Sequence, residues 1–154
     1  MATQIPLTQG LTALVDDADL DAVSLEGRWS ATRRGLVFYA VRSLPGQPKQ
    51  GMHTFLTGWS RVDHINGNGL DNRRSNLRPA SRSQNGANRG APSNNTSGFK
   101  GVTRFRLKWM AKIQVHGRTI HLGLFATPQE AARAYDTAAL EHFGEYARPN
   151  FPKA

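Results

Sequence analysis

The chain has no cysteine, which excludes disulfides, thiolate-held zinc and a cysteine nucleophile. It also has no apolar run near the roughly 18 residues of a membrane span, and no charged-then-apolar opening of the signal-peptide kind. The expectation is a protein of the cytoplasm, not secreted, with no membrane partner. Acidic residues are scarce where they would balance the bases. Lys plus Arg against Asp plus Glu is 5 and 5 over residues 1–50, 6 and 2 over 51–97, and 9 and 4 over 98–154. The net charge of +9 therefore lies in the last two thirds of the 154 residues. Basicity concentrated in this way is the footprint of a polyanion partner, most often nucleic acid.

Residues 1–50 read as a β-rich N-terminal segment of short strands and turns. A short acidic helix fits within LTALVDDADLDAVS, and a hairpin turning at Arg34-Gly35 fits WSATRRGLVFYAVRS. No catalytic constellation stands out there. Residues 90–97 fall in the Gly-, Pro-, Ser- and Asn-rich stretch GAPSNNTSG and read as a linker.

Beyond it the pattern is clearer. Trp109 to Val115 alternates apolar and polar, as does Arg118 to Leu124, with His116-Gly117 as the turn, and Phe99 to Arg106 supplies a third strand. A helix follows in TPQEAARAYDTAALEHFG. Thr127 caps it, Pro128 takes its first position, Glu130 closes a capping box and Gly144 stops it. Alanines 131, 134, 138 and 139, with Tyr135 and Phe143, form its inward face. The expected domain over 98–154 is thus a three-stranded antiparallel sheet packed on one helix. Its outward face carries Lys112, Gln114, Thr119 and His121, with Lys100, Arg104, Arg106 and Lys108 on or near it.

GFKGV, KWMAKI, HLGLFATPQEAARAYDTAA and NFP resemble the Apetala-type (ethylene-response-factor) DNA-binding domain. The resemblance implies a sheet docked in the DNA major groove, where base edges are distinguishable. Its contact positions fall on Lys100, Thr103, Lys112, Gln114, Thr119 and His121. Thr103 and Thr119 stand where arginine is usual, and His121 where tryptophan is usual.

The stretch VDHINGNGLDNRRSNLRPASRSQN, residues 62–85, has no helical period and holds five asparagines. A calcium loop fails, because the third and fifth positions from Asp63 are Ile65 and Gly67. A serine-hydrolase elbow is missing, and one local histidine is too few for zinc. A ββα-metal arrangement fits. Asp63-His64 ends a strand, Asn76-Leu77-Arg78 begins its return, and Ser81 with Gln84 starts a short helix bearing Asn85.

The Met52-His53 pair, this stretch and QNGANR resemble the HNH endonucleases, over roughly residues 51–89, especially homing-type proteins in which such a module precedes an Apetala-type domain. IPLTQG and ALVDDAD are similar to the leader of phage-borne members, which would place the protein in a bacterial host cytoplasm. The resemblance implies His64 as general base, Asp63 and Asn85 as ligands of one divalent ion, Mg²⁺ or Mn²⁺, and Asn76 as a brace that orients His64. His53 would help bind the scissile phosphate, although Thr54 replaces the usual arginine after it. Arg73, Arg74, Arg78 and Asn88 would meet phosphates, with Asn88 also near metal-bound water. The overall expectation is an α+β, metal-dependent nuclease acting on double-stranded DNA, as a monomer or weak homodimer, without a small-molecule cofactor. A DNA-binding, regulator-like protein with an inactive nuclease module is the alternative.

Overall fold

The computed structural model describes residues 1–25 and 27–152, so the last two positions of the expected 98–154 domain lie outside it. The fold is α+β, with four small antiparallel sheets and short helices among the described residues, in two compact units, Met1–Ala80 and Ser81–Ala154.

In the first unit β1 (Ala2–Pro6) pairs with β2 (Thr12–Asp16), and α1 (Leu20–Leu25) follows as the expected acidic helix. β3 (Ser30–Arg34) and β4 (Val37–Arg42) form the hairpin expected at Arg34-Gly35, and β5 (Gln50–Gly51) extends it. The next helix, α2 (Met52–Thr57), leads to β6 (Val62–His64), which pairs with β7 (Leu77–Pro79).

One apolar core joins these pieces. Ile5, Ala13, Val15, Val23, Trp29 and Ala40 from the N-terminal third pack with Met52 and Leu56 of α2, and Leu70 of the long β6–β7 loop rests against them. The loop also continues the backbone pairing of β2. The Leu14 amide donates to the Leu70 carbonyl (2.8 Å), and the Asn72 amide donates to the Leu14 carbonyl (2.7 Å). The N-terminal third is therefore the frame on which the β6–β7 loop is shaped.

The second unit opens with α3 (Arg82–Asn88), whose cap is the box expected from Ser81 and Gln84, with both of its bonds formed. Three strands follow, β8 (Val102–Phe105), β9 (Lys108–Val115) and β10 (Arg118–Phe125), in the antiparallel order β10-β9-β8. The first is shorter than expected because Phe99–Gly101 is a turn. Asn95 and Ser97 hold that turn through bonds to the Phe99 and Val102 carbonyls. The Thr127–Glu130 box starts α4 (Pro128–Phe143), which packs its alanine face on Val102 and Ala111. Ala132 and Asp136 are buried on α4 as well, and Ala134 is half-buried.

α3 belongs to this unit by packing. Ala87 shares a core with Ile113, Tyr135, Ala138, Ala139 and Phe143, its carbonyl accepts from the Arg148 amide (3.3 Å), and Ser83 Oγ accepts from the His116 amide (3.0 Å). A fragment starting at Ser81 is therefore expected to fold alone, and one starting at Thr96 to unfold at a markedly lower temperature because it uncovers Ile113 and Phe143. Thermal melts of the two fragments followed by circular dichroism check this; equal midpoints would mean that α3 adds nothing to the core.

Candidate active site and sheet face

Asp63 and His64 are adjacent on β6, so the pleat sends their side chains to opposite faces. Both are buried, with His64 only 5 % exposed. Asp63 lies across from Arg78, whose Nε and guanidinium donate to Asp63 Oδ2 at 2.9 and 2.8 Å. His64 lies among rings. Tyr39 of β4 and His53 of α2 meet it edge-on, with centroids 5.7 and 5.0 Å away. Its Nε2 faces Asn72 Oδ1 at 3.4 Å. Asn72 is fully buried, and its other amide atom has no hydrogen-bond partner. Nothing in the sequence singled out Asn72 or Tyr39; the run of asparagines in the loop was the available signal for the first.

Burial lowers the His64 pKa from 6.5, against smaller raising effects of the Asn72 contact, Asp63 and Asp71. It lowers that of His53 further, to about 4, with His64 and Arg34 adding to the effect. His53 is thus a neutral ring beside His64 at pH 7.

Asn76 is bonded into the loop that follows His64. Its Oδ1 accepts from the Asn66 amide (3.0 Å), its Nδ2 donates to Asn66 Oδ1 (3.1 Å) and the Asp71 carbonyl (2.8 Å), and its carbonyl accepts from the Ile65 amide (2.9 Å). These bonds pin both ends of the loop that follows His64. Gly69 completes the shape, since a Cβ there would come within 2.5 Å of the Phe38 carbonyl and the Tyr39 ring.

The loop arginines are all engaged within the unit. Arg73 grips Asp71 through two bonds of 2.8 and 2.7 Å, and Arg74 grips Asp19 at 2.9 and 2.7 Å. With Arg78 on Asp63, their charges are compensated locally. Asn85 and Asn88 stand on α3 in the second unit, Asn88 buried near its end.

On the outward side of the sheet, cross-strand pairs Lys112–His121 and Gln114–Thr119 bring four expected contact residues together. Thr103 lies beside Met110 on the same side, with Lys108 at the far end. Arg104 is paired with Trp109 instead, its guanidinium 5.0 Å from that ring, so it belongs to the helix-side rim. Arg106 is in the β8–β9 turn with a left-handed φ of 55°. Lys100 is tied down. Its ammonium donates to the Ala87 carbonyl and lies 5.8 Å from the Tyr135 ring, and burial brings its pKa down to about 8.

Residues 60–87 match the HNH endonuclease family profile. An uncharacterized HNH endonuclease of Acanthamoeba polyphaga mimivirus is 39% identical over 89 residues, covering 58% of this chain and 46% of that protein. Dehydration-responsive element-binding protein 2A of Arabidopsis thaliana is 43% identical over 81 residues, 49% of this chain and 24% of that protein. An AP2-like ethylene-responsive transcription factor of the same plant is 38% identical over 71 residues, 37% of this chain and 14% of that protein. The chain joins an HNH-type module to an AP2-like domain. It spans less than half the length of each of these relatives. The HNH profile covers β6, β7 and nearly all of α3, and so runs across the division between the two packing units.

Among the described residues no group of three or more His, Asp or Glu is placed to hold a metal ion. Mg²⁺ is held through one or two carboxylates plus substrate phosphate and water, not by an all-protein cage, and the single carboxylate of Asp63 suits that chemistry. No helix among the described residues is long and apolar enough to cross a membrane.

Proposed function

We propose that the chain is a divalent-metal-dependent endonuclease that hydrolyses phosphodiester bonds of double-stranded DNA, one strand per HNH-type module. The observation that carries this reading is His64, buried beside Asp63 at the end of β6, fixed by Asn72, Tyr39 and His53 and followed by a loop that Asn76 pins. A ring held at Nε2 by Asn72 and packed between two other rings is fixed in orientation, as a general base must be.

His64 removes a proton from water, whose oxygen attacks phosphorus; the P–O bond to the 3′ oxygen breaks with its electron pair, and that oxygen takes a proton from a second water, leaving a 3′ hydroxyl and a 5′ phosphate. Asp63 is the proposed carboxylate ligand of the cation, which when bound would stabilise charge on the phosphate and the departing oxygen. Arg78 keeps the Asp63 carboxylate aligned. The AP2-like sheet supplies the hold on DNA. Its Lys112 meets phosphates, and Gln114 and His121 meet base edges, where directional hydrogen bonds discriminate sequence.

Supercoiled plasmid incubated with the protein and Mg²⁺ is expected to become nicked circles, and EDTA to stop the reaction. Retention of the plasmid in a gel shift with no cleavage under Mg²⁺ or Mn²⁺ would instead support a regulator-like binder with an inactive module.

A further inference from the structure

In the second unit a groove of about 1010 Å³ lies between α3 with the chain after it and the polar end of the sheet. Its lining includes four cationic side chains, Arg82, Arg89, Lys100 and Lys112, and no aspartate or glutamate. Lys100 spends its ammonium on the Ala87 carbonyl. No ion pair to a carboxylate forms at Arg82, Arg89 or Lys112 among the described residues. The contrast with the first unit is direct, because there Arg73, Arg74 and Arg78 are each neutralised by an aspartate. Three like charges facing one concavity repel one another until an anion lies between them. The groove is at the upper limit of the roughly 300–1,000 Å³ of small-ligand pockets. Its cationic walls and polar edge suit an extended polyanion better than a compact apolar molecule.

Gln114 and Thr119, paired across β9 and β10, also line the groove. Groups that meet phosphates therefore stand next to groups that can meet bases, as in protein–DNA interfaces, where backbone contacts position and base contacts specify. We propose that the groove holds the sugar–phosphate backbone of one strand of duplex DNA, with Arg82 and Arg89 of the α3 side taking phosphates opposite Lys112. This rests on the DNA-binding reading above and adds to the sheet a second wall, which the sequence resemblance does not supply.

The test uses the full chain with Arg82→Gln and Arg89→Gln together, and Arg133→Gln as a control on α4, where the guanidinium lies 5.0 Å from the Phe151 ring. All are measured for affinity to one fixed duplex over a range of NaCl, with thermal melts to confirm folding. The double variant is expected to bind more weakly and to lose about two units of the slope of log K against log salt, about one per phosphate contact. The control should keep the wild-type slope. If the wild type binds duplex with a steep salt dependence and the double variant matches it, the groove assignment fails while the DNA-binding reading stands. If the wild type shows no salt-dependent duplex binding, both fall. Tighter binding of single-stranded RNA than of duplex DNA, lost in the double variant, would overturn duplex DNA as the occupant.

Discussion

His64→Ala should reduce DNA cleavage roughly a hundred- to ten-thousand-fold, the usual contribution of a positioned general base, while leaving duplex affinity close to that of the wild type. Affinity is preserved because the uncompensated cations, Arg82, Arg89 and Lys112, lie in the other unit. His64→Gln keeps most of the buried volume between Tyr39 and His53, and it should be equally inactive if the loss is chemical and not a collapse of the ring cluster. Asp63→Ala should also be inactive, but with a stability cost, because it leaves the Arg78 guanidinium, 11 % exposed, without its carboxylate. The pH profile adds a second readout. The base must be neutral, and burial lowers the pKa of His64, so the acid limb of the rate profile should fall below pH 6.5. A His64→Ala enzyme that cuts at the wild-type rate would remove the assignment of the base.

Gly101→Ala should be the most damaging single-methyl change in the second unit. Gly101 has a φ of +76°, and a Cβ there would lie 2.0 Å from Tyr135 Cδ2 and 2.8 Å from the Lys112 carbonyl. Neither neighbour is free to retreat. Tyr135 is buried in the core that α3, β9 and α4 share, and the Lys112 amide is bonded to the Gly101 carbonyl at 2.9 Å. Overpacking costs about 1–3 kcal/mol and the left-handed conformation about 1–2 more. For a unit of this size the sum corresponds to a fall in Tm of about 10 °C or more. Differential scanning calorimetry measures it directly, and DNA affinity should fall with it at temperatures where the unit melts. A midpoint close to the wild type would show that Tyr135 can swing aside, so that the turn before β8 is not fixed by this contact.

Features written in neighbouring residues were legible in the sequence. The Ser81–Gln84 and Thr127–Glu130 boxes, the Arg34-Gly35 hairpin and the alternation from Trp109 to Val115 depend on separations of a few residues, and each formed as expected. The second strand of that alternation was misread in part. The register slips between His121 and Gly123, so Leu122 joins the core while Ile120 and Leu124 remain exposed.

What the sequence hid were partnerships over long separations. Arg74 looked like a cation for DNA because its partner Asp19 is 55 positions away. The frame role of the N-terminal third rests on backbone bonds from Leu14 to Leu70 and Asn72, which no composition or period encodes. Lys100 and Ala87 likewise show nothing locally of the contact between them. Asn72 was visible as one asparagine among five, but its place against His64 depends on how the whole loop folds.

The mismatch between the HNH profile at residues 60–87 and the packing division after Ala80 bears on how such proteins can be recombined. A chimera that exchanges the DNA reader at the Gly- and Pro-rich stretch after Arg89 leaves α3 behind, together with an Ala87 whose apolar neighbours have gone. An exchange at Ser81 carries helix, cap and sheet across intact, but takes Asn85 with them. Each incoming reader then brings its own residue to the Asn85 position. In this architecture a change of reader and a change of the last residues of the HNH profile are a single event.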